Sequence, residues 1–387
     1  MGTSPLQVKD TAVIEARHLE QLFDALIEQG YEVIGPTVRD GAIVIEKLSS
    51  PGQLPIGWTE EQDAATYRLK PRNDRAYFGY SLGPQSWKRF LQLPVQRLWR
   101  AERSNGGFRI VPEPAPDVRR AFIGVRACEL HAIEIQDRIF LGSTFIDSDY
   151  RSRRDVFIVA VNCTCAGGTC FCVSMGSGPK AVSGFDLALT EIVDTERHYF
   201  LVDVGSERGA VLLSKLPQSR ASAAEKEAGY QVVSETSRHM GRTLNTDDLK
   251  AILYASYDHP RWDHVAARCL SCANCTMVCP TCFCTTIKDA TDLTGQAAER
   301  WKEWDSCFTT EFSYIHGGSV RASVRSRYRQ WLIHKLATWN DQFDSSGCVG
   351  CGRCITWCPV GIDITEEVRA IRATEPISMG QRHDSNT

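Results

Sequence analysis

The sequence predicts an α+β chain in which an N-terminal α/β domain, residues 1–245, is followed by a cysteine-rich domain, residues 246–387. Three observations lead to this division. The 387 residues exceed what one hydrophobic core usually organises. Strand and helix patterns alternate in the first half of the chain. Eleven of the sixteen cysteines follow residue 245, so the two parts also differ in chemistry.

A helix and a pair of strands are predicted at the start of the N-terminal domain. The apolar residues spaced as one helix face are Leu19, Leu22, Phe23, Leu26 and Ile27. Gly30 follows at the position of a helix C-cap. Two short strands, 31–34 and 42–45, come next, with Gly35-Pro36 and Asp40-Gly41 between them.

The most informative part of this domain is a βαβ pattern. Residues 121–125 and 156–161 are short buried strands, and residues 129–140 have helical apolar spacing. The crossover makes the two strands parallel and neighbouring. Cys128 and Cys163 follow them, at the carboxyl ends where α/β sheets build their sites. Cys128 also lies at a helix N-terminus, where the helix dipole stabilises a thiolate or an anionic cluster.

One cysteine pattern occurs twice in the second domain, each time followed by proline. The copies are Cys269-x2-Cys272-x2-Cys275-x3-Cys279-Pro280 and Cys348-x2-Cys351-x2-Cys354-x3-Cys358-Pro359. This is the ligand spacing of bacterial ferredoxins, in which the fourth cysteine of each run binds the cluster of the other run. The spacing therefore predicts two [4Fe-4S] clusters in a ferredoxin-like domain. The predicted ligands are Cys269, Cys272, Cys275 and Cys358 for cluster 1, and Cys348, Cys351, Cys354 and Cys279 for cluster 2.

Zinc and disulfides account less well for these eight cysteines. Zinc sites use paired dyads separated by a loop, whereas both runs here carry a third cysteine three residues after the second. Disulfides need an oxidising compartment, and residues 1–10 lack the apolar region of an export signal. We therefore expect a cytoplasmic protein with reduced thiols.

The cysteines of the N-terminal domain suggest a third iron–sulfur cluster. An isolated cysteine is usually a small buried hydrophobic residue, but four cysteines in the glycine-rich loop 163–172 are typical of cluster ligands. The predicted ligands are Cys128, Cys163, Cys170 and Cys172. Two alternatives stay open, because Cys170-Phe-Cys172 can form a redox dithiol and further ligands can come from Cys282, Cys284 and Cys307. Cys165 has no predicted role.

Residues 285–347, between the two runs, form an insertion long enough for two or three helices. The stretch from Gly318 to Leu336 has no acidic residue, and its basic residues are Arg321, Arg325, Arg327, Arg329 and Lys335. One interpretation is a solvated helix face. The other is a positive surface that docks an acidic partner or compensates anionic clusters nearby.

Composition and charge argue against two classes of partner. A net charge of -3 and a pI near 6.3 give no reason to expect nucleic-acid binding. No apolar stretch approaches the ~20 residues that a membrane span requires, so we expect no direct membrane insertion. No arrangement of side chains suggests a substrate reaction, and no catalytic residue is predicted.

Several short motifs between residues 77 and 363 are specific in combination. They are Gly83-Pro-Gln-Ser-Trp-Lys88, Phe122-Ile-Gly-Val-Arg-Ala-Cys-Glu-Leu-His131, Asn162-Cys163, Gly168-Thr-Cys-Phe-Cys172, Cys279-Pro-Thr-Cys-Phe-Cys284, Trp304-Asp-Ser-Cys307 and Cys348-Val-Gly-Cys-Gly-Arg-Cys354. Together they resemble the beta subunit of cytosolic NAD(P)-linked [NiFe] hydrogenases of the sulfhydrogenase type. The dicluster iron–sulfur subunit of anaerobic sulfite reductase is similar over the same segments.

The resemblance implies an electron-transfer subunit within a larger enzyme. In such hydrogenases a flavin subunit handles NAD(P)H, small and large subunits carry electrons to the nickel–iron site, and the beta subunit connects the two ends. This chain lacks the paired C-x-x-C nickel ligands and a convincing flavin site, in keeping with a relay. Two alternatives are a subunit that feeds the sirohaem subunit of a sulfite reductase, and a free-standing ferredoxin-like carrier. The free carrier would not need the N-terminal domain.

Overall fold

The computed structural model describes residues 5–374, apart from residues 82, 115–117 and 143–144. The strands are β1 Thr11–Glu15, β2 Glu32–Arg39, β3 Ala42–Lys47, β4 Trp58–Asp63, β5 Thr66–Pro71, β6 Val95–Ser104, β7 Gly107–Pro112, β8 Arg120–Val125, β9 Val156–Val161, β10 Leu187–Val193, β11 His198–Val204, β12 Ser219–Arg220, β13 Thr285–Thr291, β14 Ala297–Trp304, β15 Tyr314–Ile315 and β16 Gly318–Ser319. The α-helices are α1 Leu19–Glu28, α2 Lys88–Leu91, α3 Ala127–Phe140, α4 Ser148–Arg154, α5 Glu207–Leu213, α6 Ala223–Arg238, α7 Leu249–Ala255, α8 Arg261–Ala266, α9 Asn274–Met277, α10 Val324–Ile333, α11 Trp339–Phe343, α12 Arg353–Thr356 and α13 Ile364–Ala373. A π-helical segment, His334–Thr338, joins α10 to α11.

An eight-stranded mixed sheet organises the N-terminal part of the chain, in the order β12-β1-β11-β10-β9-β8-β2-β3. Its central strands β2, β8, β9 and β10 are parallel. Apolar side chains alternate between its two faces: Ile123 and Val159 pack with α1 and α5, whereas Phe122 and Ile158 pack with α3. Because helices cover both faces, the strands are buried, and the loops at their ends are held in place. The predicted α+β class is confirmed.

The predicted βαβ unit is confirmed as β8, α3 and β9, with the two strands parallel and adjacent. The predicted first helix is α1, and the predicted strand pair is β2 and β3. Gly35-Pro36, expected between the strands, instead lies inside β2. The strand accommodates Pro36 because its pairing with β8 has already ended at Ile34, so the missing N–H breaks no ladder bond.

A second sheet joins the two parts of the chain. Its order is β13-β14-β6-β7, and all neighbours are antiparallel. The hairpin β6–β7 belongs to the N-terminal part, whereas β13 and β14 begin the insertion between the cysteine runs. The two parts are therefore held together by backbone hydrogen bonds between β6 and β14.

The prediction of a helical insertion is only partly right. Residues 285–304 form the hairpin β13–β14, and the helical part consists of a short 3-10 helix, Glu311–Ser313, followed by α10, the π-helical segment and α11. Strand β14 is stabilised by pairing with β6, which lies far earlier in the chain. Such a distant pairing leaves no local pattern in the sequence, so the strand could not be predicted from it.

Membrane spans were also sought among the helices. Within the described residues, none is both long enough and apolar enough to cross a bilayer.

Candidate metal centres

The first cysteine run and the end of the second meet around one largely apolar space. The thiols that line it are those of Cys269, Cys272, Cys275 and Cys358, together with Cys354 of the second run. Burial raises the pKa of Cys275 well above its usual value, and neighbouring thiols, Cys307 foremost, add to the rise. The backbone N–H of Ser271 donates to Cys269 Sγ at 3.4 Å. The backbone N–H of Ile362 donates to Cys358 Sγ at 3.3 Å. The structure thus brings together the thiols assigned to cluster 1.

The second run meets the end of the first run deeper in the molecule. The four thiols of this group are Cys279, Cys348, Cys351 and Cys354. Burial raises the pKa of Cys354 well above its usual value, and the other three thiols raise it further. The backbone N–H of Gly350 donates to Cys348 Sγ at 3.4 Å. The structure thus also brings together the thiols assigned to cluster 2.

The two runs share one backbone form. Each turns through two residues with positive φ, and these are Ser271 (52°), Ala273 (66°), Gly350 (63°) and Gly352 (74°). Left-handed residues let a short loop curl back on itself, so three thiols of one run can face the same point.

Lys335 contacts a sulfur atom of the second group directly. Its side chain is 3% exposed. Its Nζ donates to Cys279 Sγ at 3.2 Å, to Thr281 Oγ1 at 3.1 Å and to the Gly347 carbonyl at 3.0 Å. Burial opposes the charge of Lys335, but the thiols of Cys279, Cys282 and Cys348 raise its pKa well above the usual value. Lys335 lies in the π-helical segment, a form often found at functional sites.

The other basic residues of the insertion do not share one role. Arg325 pairs with Asp263 at 3.1 Å, and the Arg329 guanidinium lies 3.5 Å from the centre of the Tyr257 ring. Among the two interpretations of the basic stretch, charge compensation therefore describes Lys335, whereas Arg325 and Arg329 make local surface contacts.

A third group of thiols lies at the carboxyl edge of the large sheet. Its members are Cys128, Cys163, Cys170 and Cys172. Cys128 is in the first turn of α3, and Cys163 follows β9. Burial raises the pKa of Cys172, and the thiols of Cys163 and Cys170 add to it. The structure brings the four predicted residues together.

Glycine at position 178 allows the third group to form. A Cβ there would lie 3.2 Å from both Cys172 Sγ and the Ala127 Cβ. A larger residue would therefore push the loop away from α3. On the other side of the group, Ser81 Oγ lies 3.4 Å from Cys170 Sγ.

The third group packs against the loop of the second run. The Phe171 N–H donates to the Gly350 carbonyl at 2.8 Å. Buried Arg353 donates to Glu129 at 2.6 Å, and Glu129 also accepts from Trp87 Nε1 at 2.9 Å. This buried ion pair joins α12 to α3, so the two thiol groups are fixed relative to each other.

Four cysteines remain outside these groups. Cys282 and Cys284 lie beside the second group, whereas Cys307 lies near Cys284 and also near Cys275 of the first group. Cys165 is assigned to no group: burial raises its pKa to about 12, and its neighbours include Arg126, Glu60 and Cys163 of the third group.

Sequence reasoning missed the polar residues that surround the thiols. Arg126, Glu129 and Arg353 attracted no prediction, although each lies within a motif that also contains a cysteine. Their partners are distant in sequence, so the only available signal was that charged residues stand inside otherwise apolar, cysteine-containing motifs.

The residues present fit iron–sulfur clusters. Thiolates are soft ligands that suit Fe–S centres or zinc. Backbone N–H groups already point at sulfur in both runs, and a buried cation faces the second group, as an anionic cluster requires. Among the described residues, no group of three or more Cys, His, Asp or Glu is drawn together tightly enough for a single metal ion.

Comparison with known proteins agrees with this geometry. Residues 268–362 match the family model of a 4Fe-4S dicluster domain. The chain is 29% identical to sulfhydrogenase 2 subunit beta of Pyrococcus furiosus over 362 residues, which cover 92% of this chain and 97% of the relative. No solved structure matches the chain significantly. The chain therefore carries a 4Fe-4S dicluster domain and is similar to a sulfhydrogenase beta subunit along nearly all of its length, as its motifs predicted.

Proposed function

We propose that this chain is the iron–sulfur electron-transfer subunit of a cytoplasmic multi-subunit hydrogenase. It relays electrons between a flavin subunit that binds NAD(P)H and the small and large subunits of the [NiFe] module. The observation that carries this proposal is that the second cysteine run lies beside both other groups of thiols: Cys354 lines the space of the first group, and Cys351 lies near Cys128 of the third. The similarity to a sulfhydrogenase beta subunit supports the choice of enzyme.

The proposal assigns three clusters. Cluster 1 is bound by Cys269, Cys272, Cys275 and Cys358, cluster 2 by Cys279, Cys348, Cys351 and Cys354, and the third cluster by Cys128, Cys163, Cys170 and Cys172. When bound, each cluster takes up and releases one electron at a time.

The residues of the chain prepare these positions for electron transfer. The thiolates hold the irons at fixed places, and backbone N–H groups stabilise the charge on sulfur. Apolar side chains such as Phe308 and Trp331 exclude water around the first group. Arg126, buried beside Cys163, offsets negative charge at the third group. A fixed, dry and charge-compensated environment keeps each cluster in place as it changes oxidation state.

Exposure suggests where electrons enter or leave. Cys272 is exposed at the first group, whereas the loop of the second run is covered by residues 169–171 of the N-terminal part. A partner subunit can approach the first group closely, and the second group then connects it with the third.

Metal analysis of the full-length chain, purified without oxygen, tests the cluster assignment. We expect about twelve or more iron atoms per chain with a similar amount of sulfide, and cluster signals in electron paramagnetic resonance (EPR) spectra after dithionite reduction. Zinc in place of iron would overturn it. Purification with its native partners tests the enzyme: nickel and flavin subunits support the hydrogenase, and a sirohaem subunit contradicts it.

A further inference from the structure

Three cysteines that belong to none of the quartets are gathered by the hairpin β13–β14. Thr285 pairs with Trp304 at the open end of this hairpin. Cys284 directly precedes Thr285, and Cys307 comes three residues after Trp304, so the pairing brings the two cysteines to the same place. The Asp305 N–H donates to the Cys284 carbonyl at 2.9 Å and fixes this arrangement.

The thiols of this group have the surroundings of cluster ligands. Burial raises the pKa of Cys284, and the nearby backbone N–H of Cys307 acts against that rise. Burial, with the Cys284 thiol, raises the pKa of Cys307 to about 12. Cys282 lies against Cys279, next to the second quartet. The three residues are half-buried, and none of them is fully exposed at the surface.

A buried lysine faces the same thiols. Lys88 is 4% exposed. Its Nζ donates to the Cys282 carbonyl at 3.0 Å and lies 3.9 Å from the centre of the Trp304 ring. Burial lowers its pKa, and the thiols of Cys282, Cys279 and Cys284 act against that change. No carboxylate is paired with Lys88 in the described part of the chain.

In the described residues, the acidic groups beside Lys88 are cysteine thiols, which carry a compensating negative charge only as thiolates, the form in which they bind a cluster. Moving an ammonium group out of water costs several kcal/mol unless an anion compensates it. Lys335 is the other buried lysine nearby, but its Nζ is already bonded to Cys279 Sγ of the second quartet. A second anionic centre, beside Cys282 and Cys284, would account for Lys88.

We propose that Cys282, Cys284 and Cys307 hold a further iron–sulfur centre with three cysteine ligands, and that Lys88 compensates its charge. With this centre, fifteen of the sixteen cysteines have a role as ligands, and only Cys165 does not. Three thiolates suit a three-iron centre, or a four-iron cube with one iron bound by a ligand other than cysteine. The centre lies beside cluster 2 and goes beyond the relay of three quartets proposed above.

The test compares two variants of the full-length chain, prepared without oxygen. The triple variant Cys282→Ser, Cys284→Ser, Cys307→Ser should lose about three or four iron atoms per chain relative to the wild type. It should keep the EPR signals of clusters 1 and 2. The matched control Cys165→Ser removes a half-buried thiol that is assigned to no group and should keep all iron.

Equal iron in the triple variant and the wild type would overturn the proposal, and so would a loss of zinc instead of iron. If the triple variant does not fold, Mössbauer spectra of the wild-type chain enriched in ⁵⁷Fe decide the question. Iron beyond the about twelve atoms of the three quartets supports the centre, and twelve or fewer overturns it. If the test overturns the further centre but the EPR signals of clusters 1 and 2 are present, the assignment of those two clusters is unaffected.

Discussion

The two cysteine runs have the same spacing and the same backbone turns but opposite surroundings. In the first run Leu270 is 64% exposed, and in the second run the equivalent Val349 is 3% exposed. Ser271 and Ala273 occupy the left-handed positions of the first run, whereas the second has Gly350 and Gly352. Spacing therefore determines which residues can bind a cluster, and the surrounding fold determines what each cluster is suited to do.

The N-terminal part packs closely on the second run, and this explains why glycine stands at positions 350 and 352. A Cβ at Gly350 would lie 2.6 Å from the Phe171 backbone, and one at Gly352 would lie 2.4 Å from the Thr169 carbonyl. The first run carries side chains at the equivalent positions despite the left-handed backbone, with Ser271 half-buried and Ala273 buried. The N-terminal part thus closes over one loop and leaves the other open to a partner.

The largest expected effect follows from replacing the fourth cysteine of each run by serine. Cys279→Ser should remove cluster 2, held otherwise by the second run, and Cys358→Ser should remove cluster 1. Each variant should lose about four iron atoms. EPR spectra of the two reduced variants show which cluster signal each variant has lost. The Cys165→Ser variant is the control, because it should keep both signals. If each substitution altered only the cluster of its own run, the crossed assignment would be wrong.

The second effect tests whether the N-terminal part packs closely on the second cysteine run but not on the first. Giving the second run the residues of the first, Gly350→Ser with Gly352→Ala, should cost about 1–3 kcal/mol at each position, because the new Cβ atoms meet backbone. The reciprocal pair Ser271→Gly with Ala273→Gly should change stability by no more than about 1 kcal/mol. Thermal unfolding followed by circular dichroism without oxygen provides the measurement. Similar losses in both double variants would contradict the asymmetry.

Features that depend on local contacts could be predicted from the sequence, whereas features that depend on distant contacts could not. The βαβ unit and the cysteine runs are local patterns, so they could be predicted. The pairing of β14 with β6 could not, because neither strand carries the signal of its partner. Lys335 appeared only as part of a basic stretch, since its contact Cys279 lies 56 residues away. Spacing identified candidate ligands, while the charges that tune them depended on the tertiary fold.

The third effect concerns the charge beside cluster 2. Lys335→Met removes a hydrogen bond to Cys279 Sγ and a buried positive charge. Because reduction adds negative charge, the cluster 2 potential should fall, by about 60 mV for each 1.4 kcal/mol of lost stabilisation. A charged hydrogen bond contributes about 1.5–3 kcal/mol. The measurement is a redox titration followed by EPR.

Arg325→Met is the matched control for this charge. It removes a cation from the same helical region, but Arg325 is paired with Asp263 at the surface and contacts no thiol. The reduction potentials of clusters 1 and 2 in this variant should equal those in the wild type. A Lys335→Met variant with unchanged potentials, or one in which cluster 1 shifts as much as cluster 2, would show that Lys335 does not distinguish the two clusters.

The smallest effect tests whether the open run is where the partner docks. Leu270 is an exposed apolar residue next to Cys269, and such residues contribute to protein contacts when a partner covers them. In the complex proposed above, Leu270→Glu should slow, by several-fold, the reduction of cluster 1 by the partner subunit, because a charge would have to be buried in the contact. A redox titration of cluster 1 in the same variant separates slower docking from a change of potential, because Leu270 also lines the space between the cluster 1 thiols. Leu293→Glu, at the fully exposed tip of β13–β14, introduces the same charge far from the run and should leave the rate unaltered. Stopped-flow measurements on the assembled complex compare the two, and equal rates in both variants would place the docking surface elsewhere.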